Sequence, residues 1–271
     1  MEKHYLDLRA LQQADLNLML SLKELLDEYH ITWALCGGTM LGAARHAGFI
    51  PWDDDIDIMM LREEYERFVA LAPEINERSS RYALVSWHDG SFARDYARFI
   101  DKKYAKDEVD VAAHDCPWLG IDIFPIDHIS DDQSEFEQQV HDRAFWKEVM
   151  TTCSSPFNAG STALKKMVRN VFRPVAKAIG GLRAAQKSEA ICRRFEHAGG
   201  SDIAIVCGMY GTKERWPLAS YEPLVELPFE GHMLPVPHDW DTYMRAIYGD
   251  DYMQLPPEDK RRPQRIHVWE V

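Results

Sequence analysis

The chain has 271 residues, of which 46% are hydrophobic and 28% charged, a composition typical of a soluble globular protein and not of a disordered one. A net charge of −13 excludes a general duplex nucleic-acid binder, and five cysteines without C-x-x-C spacing exclude a disulfide framework or zinc ribbon. No apolar run reaches the roughly 18 residues of a spanning helix. The charged N-terminus lacks a signal peptide's apolar core, so a cytoplasmic location is predicted.

The N-terminal quarter predicts two helix and strand pairs. Leucines recur at helical spacing over residues 7–29, and the β-branched ITWALC that follows predicts a strand. Gly37-Gly38 predicts a turn, after which Thr39 is expected to cap a short helix closed by Gly48. DIDIMM alternates polar and apolar residues, which predicts a second strand, and a helix is predicted from Arg62 to about Leu71.

The remaining elements predict one domain with a mixed sheet. RYALVSW, YARFID and GIDIFPI are typical of strands, and DDQSEFEQQVHDRAFWKEVM is typical of a capped helix. This mixture indicates an α+β or α/β-like fold. We predict a single domain over residues 1–271, with a core at about 30–130, a basic helical segment at about 131–198 and a C-terminal part at about 199–271.

Three acids are predicted to converge on one point. Asp55 and Asp57 share a face of their strand, while Ile56 and Ile58 face the core. Asp122 repeats this pattern in WLGIDIFP, where it stands between two isoleucines. Ionised carboxylates at short range repel each other by a few kcal/mol unless a cation neutralises them. The pattern predicts that Asp55, Asp57 and Asp122 are metal ligands and catalytic residues, with Mg²⁺ or Mn²⁺ as the cofactor.

A phosphate or nucleotide site is predicted beside these acids. The backbone N–H groups of Gly37-Gly38 can approach a phosphate at the N-terminus of the short helix, next to Thr39. Arg45 and His46, further along that helix, could reach the same anion. Alternatively, these two residues lie near the C-terminus of the helix because positive charge there interacts favourably with the helix dipole.

Two alternatives concern the neighbouring acids. Asp53 and Asp54 could contact substrate or could solvate a turn after Pro51. A calcium loop would use the first, third, fifth and twelfth positions of its motif, here Asp53, Asp55, Asp57 and Glu64. Its sixth position requires glycine, but Ile58 stands there, and the strand alternation also contradicts a loop.

The motif set resembles a known family. Gly37-Gly38, Asp55-x-Asp57 and Asp122 are similar to the nucleotidyltransferase-fold signature, and GGTMLGAARHAGFIPWDDDIDIMMLREEYERF resembles the LicD family, which includes phosphorylcholine transferases and is related to fukutin-related protein. GIDIFPID, YGTKERWP, LPFEGHMLPVPHDWDTYMRAIYGDDYMQLPP and RRPQRIH resemble family segments in the same order. The resemblance therefore covers nearly the full chain.

The resemblance implies a nucleotidyltransferase-fold core with helices on a mixed sheet. It also implies metal-dependent transfer of a phosphorylated group, most simply phosphorylcholine, from a CDP-linked alcohol such as CDP-choline. The acceptor would be a hydroxyl of a cell-surface glycan, such as a teichoic acid, lipopolysaccharide or capsule precursor, and it could be lipid-linked. A metal-dependent glycosyltransferase and a non-catalytic nucleotide- or metal-binding protein are the alternative functions, and neither needs the whole set of glycines and acids.

In the predicted mechanism, the metal ligands neutralise the donor diphosphate, the acceptor attacks in line and CMP leaves. A choline headgroup needs aromatic faces, for which Trp52, Trp118, Tyr210 and Trp216 are candidates. The other candidates for substrate contact, drawn from the family-like segments, are Asp53, Asp54, Lys213, Arg215 and His267.

A basic segment stands apart from the acidic chain. Residues 149–188 contain seven basic residues and no acid, which leaves a net charge of −20 elsewhere (24 basic and 44 acidic residues). From Leu164 to Leu182, apolar residues recur on one helix face, with Pro174 a predicted kink or break. Basic residues recur on another face, at Lys166, Arg169, Arg173 and Lys177. We predict that this basic face attaches peripherally to the inner, anionic face of the cytoplasmic membrane; an ordinary helix packed on the core is the alternative.

Overall fold

A computed structural model of the protein describes residues 3–108, 116–261 and 266–271. Positions 262–265 of the C-terminal motif RRPQRIH lie outside these ranges. Helices and strands are mixed along the chain, which confirms the α+β class. Within the described ranges, no helix combines the length and apolarity needed to cross a bilayer.

Eight α-helices are described. In chain order they are α1 (Leu8–Glu28), α2 (Gly37–His46), α3 (Arg62–Ala70), α4 (Ala72–Arg78), α5 (Gln133–Ser154), α6 (Ala163–Ile179), α7 (Gly181–Cys192) and α8 (Trp240–Tyr248). The described strands are β1 (Ala34–Leu35), β2 (Asp57–Leu61), β3 (Tyr82–Val85), β4 (Ala97–Glu108), β5 (Trp118–His128), β6 (Asp202–Ala204), β7 (Trp216–Pro217), β8 (Val225–Phe229), β9 (His232–Val236) and β10 (Ile266–Glu270).

The main sheet is mixed and has β5 near its centre. Its strand order is β1-β2-β5-β4-β10, and β3 also pairs with β4. The β2–β5 pair is parallel, whereas the other pairs of this sheet are antiparallel. At its far end β5 pairs with β6, which pairs with β7, while β8 and β9 form a separate hairpin. This arrangement places β2 and β4 on either side of β5, which fixes the location of the predicted acids.

The leucine pattern of α1 builds one wall of the core. Leu11, Leu18, Leu22 and Leu26 are buried, as their helical spacing predicts. The side chain of Asp7 caps the helix by accepting a hydrogen bond from the backbone N–H of Ala10. Because one face of β5 is equally apolar, α1 and the sheet bury a shared core.

The other face of β5 carries the polar pattern. Leu119, Ile121 and Ile123 are fully or almost fully buried, while Gly120 and Asp122 alternate with them toward a cavity. The sequence predicted this alternation. It also predicted a strand in DIDIMM, but hydrogen-bonded pairing starts at Asp57, so the acids before it belong to a loop.

The prediction for the caps of α2 is wrong. The helix already begins at Gly37, with Cys36 at the N-cap, so Thr39 lies inside it. The Oγ1 atom of Thr39 instead accepts a hydrogen bond of 2.9 Å from the backbone N–H of Asp57. The left-handed residue after the helix is Ala47, with φ 53°, and not Gly48. Thr39 therefore fixes the start of β2.

Half of the predicted basic face on α6 is turned toward the protein. Arg169 donates from Nε to Glu148 of α5 over 2.9 Å. Arg173 donates to the backbone carbonyls of Thr152, Ser155 and Pro156. The prediction of a four-residue basic outer face is therefore wrong for these two arginines, and the helix also continues without a break through Pro174.

A buried ion pair ties α3 to the end of β5. Arg62 donates from Nε and Nη2 to the two oxygens of Asp127, over 2.7 and 2.8 Å. Both side chains are at least 95% buried. The two parallel hydrogen bonds compensate the unfavourable free energy of burying both charges in the core.

We expect Arg62→Ala to lower the free energy of unfolding by about 3–5 kcal/mol, because it leaves the Asp127 carboxylate buried without its partner. The matched control is Arg67→Ala on the same helix, which removes a half-exposed ion pair with Glu64 and should cost less than about 1 kcal/mol. Urea denaturation measures both. If both variants lose the same free energy of unfolding, the buried ion pair stabilises the fold no more than the half-exposed one.

Candidate active site

Three charged side chains lie in a row across the sheet. Asp57 of β2 is directly opposite Asp122 of β5, and Arg98 of β4 is opposite Asp122 on its other side. Residues in such register project from the same face, and all three line one cavity. Arg98 donates from Nε and Nη2 to the Asp122 carboxylate, over 2.5 and 3.1 Å. The guanidinium thus sets a positive charge beside two neighbouring acids.

Gly120 makes room for this ion pair. It precedes Asp122 by two residues on the same face of β5, opposite Ile100 of β4. A Cβ atom at this position would lie 2.7 Å from both Cγ and Cδ of Arg98. The aliphatic part of Arg98 therefore crosses β5 where the strand has no side chain.

A second group of acids comes from the loop before β2. One carboxylate oxygen from each of Asp53, Asp54 and Asp55 lies within 4.8 Å of the others. The loop is fixed to α1, because Gln12 Nε2 donates to the carbonyl of Asp53 over 2.9 Å. Asp55 and Asp57 line the same cavity. The structure thus brings the loop acids and the strand acids to one place.

Asp15 of α1 is a further acid behind this group, which sequence reasoning missed. It is 1% exposed, and its Oδ2 has no hydrogen-bond partner among the described residues. Burial raises its pKa well above the usual range, Asp55 raises it further, and Lys106 opposes the shift. Its signal in the sequence is an acid on the buried face of an otherwise leucine-rich stripe.

The acids fit a divalent cation. Burial, followed by the charges of Asp55 and Asp122, raises the pKa of Asp57 well above its usual range. Burial, followed by Asp55 and Asp54, raises the pKa of Asp53 to about 8. An Mg²⁺ ion is usually bound by one or two carboxylates together with water or phosphate oxygens, and its charge would offset this repulsion. The donor set is therefore appropriate to the predicted metal.

Gly37 and Gly38, the first two residues of α2, adjoin the acids. Gly37 has φ +51°, a left-handed conformation that favours glycine, and both glycines line the cavity. A Cβ atom on Gly38 would lie 2.9 Å from Oδ2 of Asp53. The absence of side chains here lets the N-terminus of α2 approach the carboxylates closely.

Two cavities meet at Asp55 and Asp57. The first, about 360 Å³, lies between the sheet row and α5, and its cationic wall residues are Arg94, Arg98, Lys106, Arg143 and Lys147. The second, about 820 Å³, extends past α2 toward residues 251–261 and carries Trp52, Tyr210, Tyr248 and Tyr252. Gly38, Met209 and Tyr210 line both cavities. We call them the cationic and the aromatic cavity after these residues, although Asp95, Asp122 and Glu214 also line the first and Arg45, Lys260 and Arg261 also line the second.

Comparison with known proteins agrees with this geometry. The family model described as LicD/FKTN/FKRP, nucleotidyltransferase domain, matches residues 30–158, which contain the glycine turn and all the acids named here except Asp15. The chain carries a LicD-family domain. It is 27% identical to the lipopolysaccharide cholinephosphotransferase LicD of Haemophilus influenzae, over 96% of this chain and 97% of that protein.

Shorter matches lie in two rickettsial proteins that are named only as uncharacterized proteins. The Rickettsia typhi protein is 39% identical over 64 residues, or 24% of this chain and 21% of that protein. The Rickettsia prowazekii protein is 38% identical over 60 residues, or 22% of this chain and 23% of that protein. These matches span too little of either protein to carry an argument about function.

The aromatic candidates divide into two groups. Trp52 of the LicD domain and Tyr210 line the aromatic cavity, where the guanidinium of Arg261 lies 5.7 Å from the Trp52 ring. Trp216 is 1% exposed and packs against Tyr221 and Tyr243 in the core. Trp118 packs on a separate apolar cluster at the start of β5 and does not line either cavity. The structure therefore leaves Trp52 and Tyr210 at the site.

Most of the basic candidates bind other protein groups or lie outside both cavities. Arg45 of the LicD domain lines the aromatic cavity, but its Nη1 donates to the carbonyls of Tyr252 and Gln254, and its Nε donates to His46. Arg215 pairs with Asp202, outside both cavities. The ring of His267, on β10, lies 5.4 Å from that of Tyr5 in a tilted arrangement, and Lys213 is exposed outside both cavities.

Sequence reasoning also missed two residues that line the cationic cavity, Lys147 of α5 and Glu214. Lys147, near the end of the LicD domain, lines the cationic cavity and has no ion-pair partner among the described residues. Burial, followed by the charge of Arg143, lowers its pKa. Glu214 lines the same cavity; burial raises its pKa to about 8, and the backbone N–H of Tyr210 donates to its Oε1. Periodicity could not find either residue, because each depends on how distant elements pack.

We expect Glu214 to make the fold less stable as the pH rises. The folded carboxyl keeps its proton up to a pKa of about 8, whereas the ordinary pKa is 4.5, so the unfolded state binds fewer protons between these values. The stability is full below pH 4.5 and is lost as the pH rises through 8. Glu214→Gln should therefore gain about 3 kcal/mol more at pH 8 than at pH 5, relative to wild type.

Thermal or urea unfolding at both pH values measures this difference. The exposed Glu226→Gln is the control and should show no such difference. If Glu214→Gln tracks wild type across the range, the buried carboxyl is not what makes stability depend on pH.

Proposed function

We propose that this protein transfers phosphorylcholine from CDP-choline to a hydroxyl of a cell-surface glycan, with Mg²⁺ as the metal. The observation that carries the proposal is the gathering of Asp53, Asp55, Asp57 and Asp122 beside Gly37-Gly38, where two cavities share Asp55 and Asp57 in their linings. Additional support comes from the LicD-family domain and from the similarity to a lipopolysaccharide cholinephosphotransferase.

The cationic cavity suits the part of the donor that leaves. Lys147 and Arg94 offer positive charge to a diphosphate, and Gly37-Gly38 offers backbone N–H groups at the start of α2. Arg143 is held by a bidentate pair with Asp95, which fixes this wall. We place the cytidine monophosphate portion here, because its negative charge is best neutralised in this cavity.

The aromatic cavity suits the headgroup and the acceptor. Trp52, Tyr210 and Tyr252 offer ring faces to the quaternary ammonium of choline. This cavity is also the larger of the two, which a glycan hydroxyl needs for access. An in-line displacement requires the attacking and leaving oxygens on opposite sides of the phosphorus, so we place the leaving group in one cavity and the acceptor in the other, with the phosphorus beside the shared acids Asp55 and Asp57.

The reaction then balances as follows. The acceptor oxygen bonds to the phosphorus that carries choline, the bond from that phosphorus to the bridging oxygen breaks, and CMP leaves toward Lys147. The hydroxyl proton passes to Asp53, whose carboxylate lies in the wall of the aromatic cavity. Asp55 and Asp57, with Asp122 beside them, would hold the metal, which supplies charge neutralisation to the diphosphate when bound. Arg98 keeps Asp122 oriented toward Asp57.

The first test is release of CMP from CDP-choline in the presence of Mg²⁺ and a lipopolysaccharide or teichoic-acid acceptor. We expect turnover that stops on chelation with EDTA and returns with added Mg²⁺, because the acids repel the donor when no cation is present. CDP-ethanolamine, CDP-glycerol and CDP-ribitol test the headgroup, and UDP-glucose tests the glycosyltransferase alternative. Undiminished turnover in EDTA, or release of UDP in place of CMP, would contradict the proposal.

The second test is Asp57→Asn. It should lower the rate of CMP release at least about a hundredfold while the fold is kept, as for other groups that act electrostatically in catalysis. It should also weaken Mn²⁺ binding in calorimetric titration without substrate, which separates metal binding from turnover. Asp27→Asn, an exposed acid of α1, is the control. Near-normal turnover in a folded Asp57→Asn protein would contradict the assignment of Asp57 as a metal ligand and catalytic residue.

A further inference from the structure

The outer surface of α6 is apolar. Five large side chains there are each more than half exposed, and they are Leu164, Met167, Val168, Val171 and Val175. Four of them follow one another at intervals of four, three and four residues, so they form a stripe along one side of the helix. We call this stripe the α6 apolar face. It lies in water in the isolated chain, which is unfavourable for a contiguous aliphatic surface.

The opposite side of α6 fixes its orientation. Phe172, Ala176 and Ile179 pack on the cluster formed with α5 and α7. Arg169 and Arg173 bind Glu148 and backbone carbonyls around the end of α5. Because apolar packing and hydrogen bonds both hold the inner side, the α6 apolar face is fixed toward the outside.

The surroundings of this face are strongly basic. The exposed side chains near it in the sequence include Lys165, Lys166, Lys177, Arg183 and Lys187. Residues 149–188 contain no acid, whereas the rest of the chain carries a net charge of −20. An occupant of this face must therefore be apolar in its interior and anionic around it.

We propose that the α6 apolar face inserts into the interfacial layer of an anionic lipid bilayer, with the surrounding lysines and arginines on the lipid headgroups. A second copy of the chain fits less well, because a symmetric contact through this face would bring basic segments together with no acid to offset them. An amphipathic helix with aliphatic residues on one side and lysines beside them has the pattern of an interfacial helix. Apolar insertion thus replaces the purely electrostatic contact expected from the sequence.

The α6 apolar face lies close to the candidate active site, because α6 packs on α5 and α5 lines the cationic cavity. Glu148 on α5 contacts α6, while Lys147 and Thr151 on the same helix line the cationic cavity. The cavity is then one helix layer, on the order of 10 Å, from the bilayer surface. If the proposed function is correct, this proximity suits a lipid-linked glycan acceptor. Membrane binding itself can be tested without any activity.

The experiment is sedimentation of the full-length protein with vesicles. We expect binding to vesicles of equal parts phosphatidylglycerol and phosphatidylcholine, and much weaker binding to phosphatidylcholine alone. Val171→Gln, at a position that is 75% exposed, should lower the partition coefficient about tenfold without changing the thermal unfolding midpoint. Lys166→Gln with Lys177→Gln should weaken binding to the anionic vesicles.

The matched control is Val225→Gln, a 39% exposed valine on the β8–β9 hairpin, which should bind vesicles like wild type. Two results would overturn the proposal. Anionic binding that is unchanged in Val171→Gln would mean that no apolar insertion occurs. Failure to bind any vesicle, together with self-association that Val171→Gln abolishes in analytical ultracentrifugation, would assign the face to a second copy.

Discussion

The parallel pairing of β2 with β5 is the contact around which the site is built. It sets Asp57 beside Asp122 in strict register, so two carboxylates share one half-buried spot on the sheet. Such a pair is unfavourable unless positive charge accompanies it. The guanidinium of Arg98, on the neighbouring strand, compensates part of this negative charge. The acids of the loop before β2 add further negative charge. The fold thus concentrates negative charge to a degree that a cation best relieves.

The surrounding elements hold that charge at the boundary of two cavities. On one side, α5 presents Arg143 and Lys147, and the buried Asp95 binds Arg143 together with Ser188 of α7. The pKa of Asp95 is lowered, because Arg143 and these hydrogen bonds outweigh its burial. On the other side, α2 and the 251–261 segment present aromatic rings. A substrate that spans both sides must pass over the acids.

The sequence predicts best where one periodic pattern decides the structure. The leucine stripe of α1 and the alternation in GIDIFPI each bury an apolar face, and the structure has the helix and the strand there. Asp57 and Asp122 also lie together, since register follows from the same alternation, and Asp55 lines the same cavity from the loop before β2.

The sequence predicts least where distant elements meet. Asp15, Lys147 and Glu214 reach the site from two helices and a short 3₁₀ turn, and no local pattern marks their approach. The prediction for α6 was wrong for two of its four basic residues for a similar reason. Periodicity gave its two faces, but the carbonyls at the end of α5 and Glu148 attract the arginines inward, and a single helix pattern does not contain that information.

The missing side chain at Gly120 has a consequence for how this chain can vary. The stem of Arg98 occupies the space above Gly120, and its guanidinium reaches Asp122 only by that route. Any side chain at 120 would require a shorter residue at 98, and a shorter residue would leave the acid at 122 without its guanidinium. Positions 98, 120 and 122 are therefore structurally coupled, and we expect a change at one position to require a change at another.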